Sequence, residues 1–170
     1  PHQADDDIYS YTFYDAIGRP VEVGQLHATA TLTESVLKQD DKGWTFAFWV
    51  ANNGTRTEVT RTQYDEPLDA AIEAKFANTQ QENLRMRVAS VMHYDNYPVS
   101  ALSYQSANHY SYDVHGNVKE VIQDVPVMAP GGLQDISTQY EYELISGNMK
   151  KVSYQKEKID QLTHQYKYDE

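Results

Sequence analysis

Apolar residues recur at every second position through much of this chain, a period that places them on one face of a β-strand. From Tyr9 to Leu26, "YSYTFYDAIGRPVEVGQL" reads as two strands about a turn. Asp15 and Gly18 supply the turn chemistry, and Val21 and Val23 fall on one face of the outgoing strand. The Thr-rich "HATATLTESVLK" alternates more loosely and reads as a further strand. In "GWTFAFWVANNGTRTEVTRTQYDEP", Trp44, Phe46, Phe48 and Val50 alternate, Asn-Asn-Gly marks a turn, and residues 57–63 return as a β-rich strand, so this stretch reads as a hairpin. The pattern then changes. Pro67 can open a helix, and Leu68, Ala71, Ile72 and Phe76 share one side at helical spacing, which predicts a short helix near 67–77 packed on a sheet. From Leu84 onward two strands are expected in "LRMRVASVMHYDNYPVSALSY" and two in "NHYSYDVHGNVKEVIQDV". "APGG" reads as a loop, "QYEYELISGNMKKVSYQKEK" as a hairpin, and "HQYKYDE" opens one last strand. Short strands separated by turn signals predict an all-β fold of successive antiparallel hairpins. Residues 8–170 form one β region in this reading, behind an acidic, disordered tail at 1–7.

One phrase recurs within the hairpins. "YSYDVHGNVKEV" begins at Tyr110 and "YEYELISGNMKKV" at Tyr140, and a single inserted residue aligns them. Tyr14-Asp15 with Gly18, Tyr112-Asp113 with Gly116, and Tyr142-Glu143 with Gly147 carry the phrase in full. Tyr64-Asp65, Tyr94-Asp95 and Tyr168-Asp169, the last preceded by Tyr166, carry only its first half. Two tyrosines at i and i+2 place both rings on one strand face, where they can stack. The acid at the strand end can bond turn amides, and the glycine takes a positive φ that other residues resist. The separations of 30 and 26 residues between Tyr112, Tyr142 and Tyr168 are hairpin-sized and uneven, as for a structural unit rather than a duplicated catalytic motif.

Composition narrows the function classes. Only 40% of the 170 residues are apolar, and mean hydropathy is −0.70, so the 14 tyrosines must carry much of the packing beside 4 phenylalanines. The formal charge of −11 repels phosphate backbones, which argues against nucleic acid as partner. With no cysteine, neither a disulfide framework nor a thiolate metal site can form. No apolar run approaches the roughly 18 residues that span a bilayer. The chain begins at Pro1 without a methionine or a signal peptide, as expected of a piece of a longer polypeptide whose targeting signals lie elsewhere.

"YDAIGRPVEV", "YSYDVHGNVKEV" and "YEYELISGNMKKV" resemble the YD repeats of the RHS (rearrangement hotspot) proteins. "TEVTRTQYDEP" and "RMRVASVMHYD" look like the degenerate repeats of long RHS-type proteins of the Bacteroidetes kind. The resemblance implies a curved or spiral sheet of hairpins forming one segment of a shell that encloses a C-terminal toxin, in a secreted or cell-surface bacterial protein. Its partners would be neighbouring repeats of the same longer chain and an enclosed toxin domain. The family's self-cleaving core has no counterpart here, so no cleavage or toxic activity carries over.

Catalytic and ligand chemistry is sparse. The six histidines, at 2, 27, 93, 109, 115 and 164, make no helical i, i+4 pair, so no metal site is expected. No cofactor fingerprint or nucleophile elbow is present. Asn53-Gly54-Thr55 fits a glycosylation acceptor, but a turn already explains it. A non-catalytic structural role is therefore the reading, with a carbohydrate-binding or adhesion module as the alternative and a carbohydrate-active enzyme as a third, since any two of 25 acids could flank a glycosidic bond. A segment cut from a continuous sheet would also carry open edges and self-associate through them.

Overall fold

The computed structural model describes residues 2–3, 7–38, 44–97, 103–131 and 134–169. The fold is all-β and antiparallel, as the alternation predicts. Its ten strands are β1 (His2–Gln3), β2 (Ile8–Tyr14), β3 (Pro20–Ala28), β4 (Gly54–Tyr64), β5 (Val88–Asn96), β6 (Ser106–Tyr112), β7 (Val118–Asp124), β8 (Asp135–Tyr142), β9 (Met149–Tyr154) and β10 (Leu162–Gln165). Their order in the sheet is their order in the chain. The chain compacts as two units, Pro1–Thr62 with Met92–Gln105, and Gln63–Val91 with Ser106–Glu170.

In the first unit a pair of helices covers one sheet face. Tyr9, Tyr11 and Phe13 of β2 stand opposite Leu26, Gly24 and Glu22 of β3, all on the same side. Two helices, α1 (Glu34–Lys38) and α2 (Trp44–Asn52), fill the connection from β3 to β4. Buried Trp49 and Val50, with Phe46, pack against Tyr11, Leu26, Tyr9 and Phe13. The Tyr9 and Trp49 rings meet edge to face at 5.8 Å, and Phe13 and Phe46 do so at 5.9 Å.

Two expectations fail in this unit. The hairpin read into 44–63 is a helix followed by a strand, because Phe46, Trp49 and Val50 at i, i+3 and i+4 bury together, and Phe48, assigned to their face by a strand, is 67% exposed. Asn53 is not a hairpin turn residue. Its amide and its side-chain Nδ2 donate to the Trp49 carbonyl at 3.0 and 2.9 Å, closing the helix end. The strand read into "HATATLTESVLK" survives only as the end of β3, and Glu34–Lys38 is helical, with the Val36 amide donating to the Thr33 carbonyl. The face shared by Val21 and Val23 is the outer one, since the inward face of β3 belongs to Glu22, Gly24 and Leu26 and Val23 is 45% exposed. Gly24 is required by close approach, since a Cβ there would lie 2.9 Å from both Tyr11 Oη and Val59 Cγ2.

In the second unit the corresponding cover is residues 66–86, a strap between β4 and β5. The helix expected near 67–77 is present but short, α3 (Ala70–Glu73). Asp69 caps it, accepting from the Ala71 amide at 2.7 Å. It stops early because Lys75 and Phe76 donate to carbonyls three residues back, tightening the last turn. Leu68, Ile72 and Phe76 pack on Ile122 of β7, as their spacing predicts. The loop expected at "APGG" ends a 3-10 turn at Pro126–Gly131, with 132–133 outside the described residues. The second strand expected in 84–104 falls in part on 98–102, also outside them.

Gly54 gives a direct check on the helix-to-strand junction. Its φ is +155°, and a Cβ would sit 2.1 Å from the His27 carbonyl oxygen. Gly54→Ala is expected to lower stability by about 2–4 kcal/mol in urea unfolding. In a simple hairpin turn the same change would be milder.

Candidate functional site: repeated corners and buried acids

The recurring phrase builds one hydrogen-bonded corner several times. At the first, the Asp15 amide donates to the Arg19 carbonyl at 2.9 Å and the Gly18 amide to the Asp15 carbonyl at 3.1 Å. Asp15 Oδ1 accepts the Ile17 and Arg19 amides, and Oδ2 accepts Arg19 Nε at 2.7 Å. Asp113 repeats this: its amide reaches the Asn117 carbonyl at 2.9 Å, and Gly116 donates to its carbonyl at 3.1 Å. Its Oδ1 accepts the His115 and Asn117 amides, and its Oδ2 accepts Asn117 Nδ2 at 2.9 Å. Gly18 and Gly116 sit at φ +85° and +93°, the left-handed region that glycine enters at no steric cost. Beyond each corner the register slips by one residue, leaving Val21 or Lys119 as a bulge.

The third copy absorbs its inserted residue without changing the frame. Glu143 donates to the Asn148 carbonyl at 2.7 Å and accepts the Gly147 amide at 3.0 Å, with Gly147 at φ +72°. Ser146 Oγ donates to Glu143 Oε2 and accepts the Asn148 amide at 3.1 Å, so the hydroxyl takes over a bond that Asp makes directly elsewhere. The same bulge follows, at Lys150. Tyr64-Asp65 is a fourth corner in disguise. The Asp65 amide donates to the Arg87 carbonyl at 3.1 Å and Oδ1 accepts the Met86 amide at 2.5 Å, so the strap is spliced into a corner whose two ends still close.

The remaining phrase residues differ. Tyr94 is fully buried against Tyr97 and Tyr104, and the Asp95 amide is taken by Gln105 Oε1 rather than by a corner. Tyr166 donates its amide to Lys150, and Tyr168 Oη donates to the Met149 carbonyl, so 166–169 run beside β9 past the end of β10. Tyr110 and Tyr112 stack, with centroids 6.5 Å apart at 25°, and Tyr112 Oη donates to the Val88 carbonyl at 2.8 Å. Burial raises both phenols above their ordinary range. Tyr140 and Tyr142 are half-buried, and Tyr14 is exposed.

Seven residues after the corner acid lies a feature that the alternation hides. Glu22 follows Asp15 at that spacing and Glu120 follows Asp113, and both carboxylates are buried, at 7% and 5% exposure. Glu22 accepts Tyr11 Oη at 2.8 Å and Arg56 at 3.0 Å, with Arg61 at 3.4 Å. Arg56 in turn lies 3.9 Å over the Tyr97 ring. Burial and the neighbouring Glu22 carboxylate push the Tyr11 phenol well above its ordinary range. Glu120 accepts Ser137 Oγ at 2.9 Å and Gln139 Nε2 at 3.2 Å from β8, and the Ala77 amide at 3.2 Å from the strap. The one signal for them in the sequence is "RPVEV" beside "NVKEV", an acid held among valines after each corner.

A second buried polar group lies beneath the strap. Ser90 Oγ is 2.7 Å from His109 Nδ1, His109 Nε2 is 4.0 Å from Asp124 Oδ2, and Lys75 Nζ is 2.6 Å from both Asp124 and Asp135. These are the residue types of a hydrolytic triad. Yet Ser90 and His109 have no exposed surface and Asp124 has 1%, so no substrate reaches the hydroxyl. Burial pushes the His109 imidazole down to about 4. For Lys75 burial opposes the charge, but the hydrogen bonds it donates to Asp124 and Asp135 outweigh it and hold the ammonium above its ordinary range.

Two of the open clefts in the second unit border the corners and the buried Glu120. One, of ≈570 Å³, runs between the corners at 113 and 143 beside His115, Lys119, Tyr140 and Tyr142. The other, of ≈480 Å³, has Glu120, Ser137 and Gln139 along it, between Lys75 and Lys156. Among the described residues no group of three or more His, Asp or Glu could hold a metal ion, and no helix is long and apolar enough to cross a membrane. No protein-family model matches the chain, and no curated protein sequence matches it.

Two substitutions test these roles. Burial pushes the Asp113 carboxyl up, but its bonds from Asn117, His115 and Gly116 outweigh that and hold it below the ordinary range. Asp113→Ala is therefore expected to cost about 1–2 kcal/mol at neutral pH. Because the folded value is the lower one, the deficit is full above about pH 4 and disappears as pH falls through it, which paired urea titrations would resolve. Glu22→Gln leaves Arg56 and Arg61 without their anion and is expected to cost about 2–4 kcal/mol, read as a lowered thermal midpoint.

Proposed function

We propose that this chain is a non-catalytic wall segment of an RHS/YD-repeat shell, whose task is to extend a hairpin sheet that encloses a C-terminal toxin. The observation that carries the reading is the corner itself, made with one set of hydrogen bonds at 15–19 and 113–117 and with one accommodated insertion at 143–148. A unit reused in this way serves a scaffold, because each hairpin leaves an edge for the next. The acids support the same role. Asp15 and Asp113 are committed to turn amides, and Glu22 and Glu120 to neighbouring strands. In this reading the acidic wall favours a basic cargo, and the protein is secreted or displayed at a bacterial surface.

The test begins with the coding sequence on either side of this segment. Further Tyr-Asp hairpins followed by a distinct C-terminal domain are expected, and that domain should resist protease in the full-length product while the separately expressed domain is cut. A flanking sequence without such hairpins, or equal cleavage of the domain in both settings, overturns the proposal. Saturable glycan binding abolished by Tyr140→Ala or Tyr142→Ala would favour an adhesion module instead.

A further inference from the structure

The strap at 66–86 lies over the face of β6 and β7 that carries His109. Side chains alternate along β6, so His109 and Ser111 share one side. Ser111 Oγ accepts the Glu82 amide from the strap at 3.0 Å. Opposite His109 in the ladder is Ile122, the residue on which Ile72 and Phe76 of the strap pack. The strap's only lysine, Lys75, is clamped between Asp124 of β7 and Asp135 of β8, and Asp124 is itself the nearest anion to the imidazole. Further bonds hold the strap down: Gln81 Nε2 donates to the carbonyls of Ala89 and Tyr110, the Ala77 amide donates to Glu120, and Lys119 pairs with Glu82 at 2.6 Å. Lifting 66–86 would therefore bring water to His109 and open the Met86–Asp65 bond, while leaving the corners at 15–19 and 113–117 intact.

We propose that this strap is an acid-released cover: protonation of His109 drives residues 66–86 off the β6–β7 face and exposes Ile122 with the apolar side of the strap. Among the described residues, the groups that face the imidazole include Ser90 from β5, Asp124 from β7, Asp135 from β8 and Lys75 from the strap. An imidazolium in the closed state has no exposed surface and feels the Lys75 ammonium, whereas in the open state it is solvated. The proton therefore binds the open state more tightly, and closure weakens as pH falls below the wetted value. With the buried imidazole at about 4 and a solvated one near 6.5, the open-to-closed ratio rises about 20-fold from pH 7 to pH 5. Glu82, held below the ordinary carboxylate range by Lys119 and Asn78, stays ionised through this window and does not drive the change.

Hydrogen exchange followed by mass spectrometry on the intact 170-residue chain, at pH 7 and pH 5 with intrinsic rates corrected, tests the proposal. Peptides from 66–86 are expected to lose about 20-fold in protection at pH 5, while those spanning 15–19 and 113–117 keep theirs. His109→Gln, which cannot take the proton, should retain strap protection at both values. Equal loss across the whole second unit, unchanged strap protection at pH 5, or pH dependence that persists in His109→Gln each overturns it. If His109→Gln does not fold, the contrast between strap and corner peptides in the unaltered chain decides the matter by itself.

Discussion

Every hairpin must supply acceptors for the amides that a reversing strand takes out of the ladder, and here that constraint is met by one carboxylate per corner. At 15–19 and 113–117 an acid just past the last strand residue accepts the turn amides, while its own amide donates to the Arg19 or Asn117 carbonyl and its carbonyl accepts the glycine amide. Each such bond is worth only about 1 kcal/mol net. What the set fixes is register: the bulge after each corner falls at the same place, so the inward and outward sides of the next strand are decided there. That decision places Glu22 and Glu120 inside, and they then recruit donors from the strand that follows.

Stability has a different source. Burying one large aliphatic or aromatic side chain contributes roughly 1.5–3 kcal/mol, more than any one corner bond. The chain finds this area by placing covers in its connections. The helix pair between β3 and β4 brings Trp49 and Val50 onto Tyr11 and Leu26, and the strap between β4 and β5 brings Ile72 and Phe76 onto Ile122. Both covers are insertions into hairpin connections. The corner at Asp65 still closes across Arg87 with the strap spliced through it, which shows how a repeat can lengthen without losing its frame.

The corners are legible in the sequence because acid, turn and glycine are local chemistry: Asp15 and Asp113 accept turn amides, whereas the Glu143 carboxylate reaches its turn amide only through Ser146. The strap's short helix is legible too, since Leu68, Ile72 and Phe76 lie within a few residues of one another. The errors arose where tertiary packing overrode local pattern. Trp44 to Val50 alternates well enough for a strand, but the ring that matters is Trp49, one position off that alternation. Val21 and Val23 mark a face correctly, though a buried Glu22 held by Tyr11 and Arg56 makes the other face the inner one. Asp124 and Lys75 meet across 49 residues, and no short-range pattern announces such a pair.

The account's central claim is that the corner is an interchangeable unit, set by its acid and glycine and indifferent to the strands it joins. Exchanging Glu143–Asn148 for the five-residue sequence of Asp113–Asn117 tests this most directly, with amide exchange in β8 and β9 as the readout. The account predicts that the β8–β9 ladder keeps its register and protection, with stability within about 1 kcal/mol of the parent. Loss of protection along both strands, with the rest of the second unit intact, would contradict it.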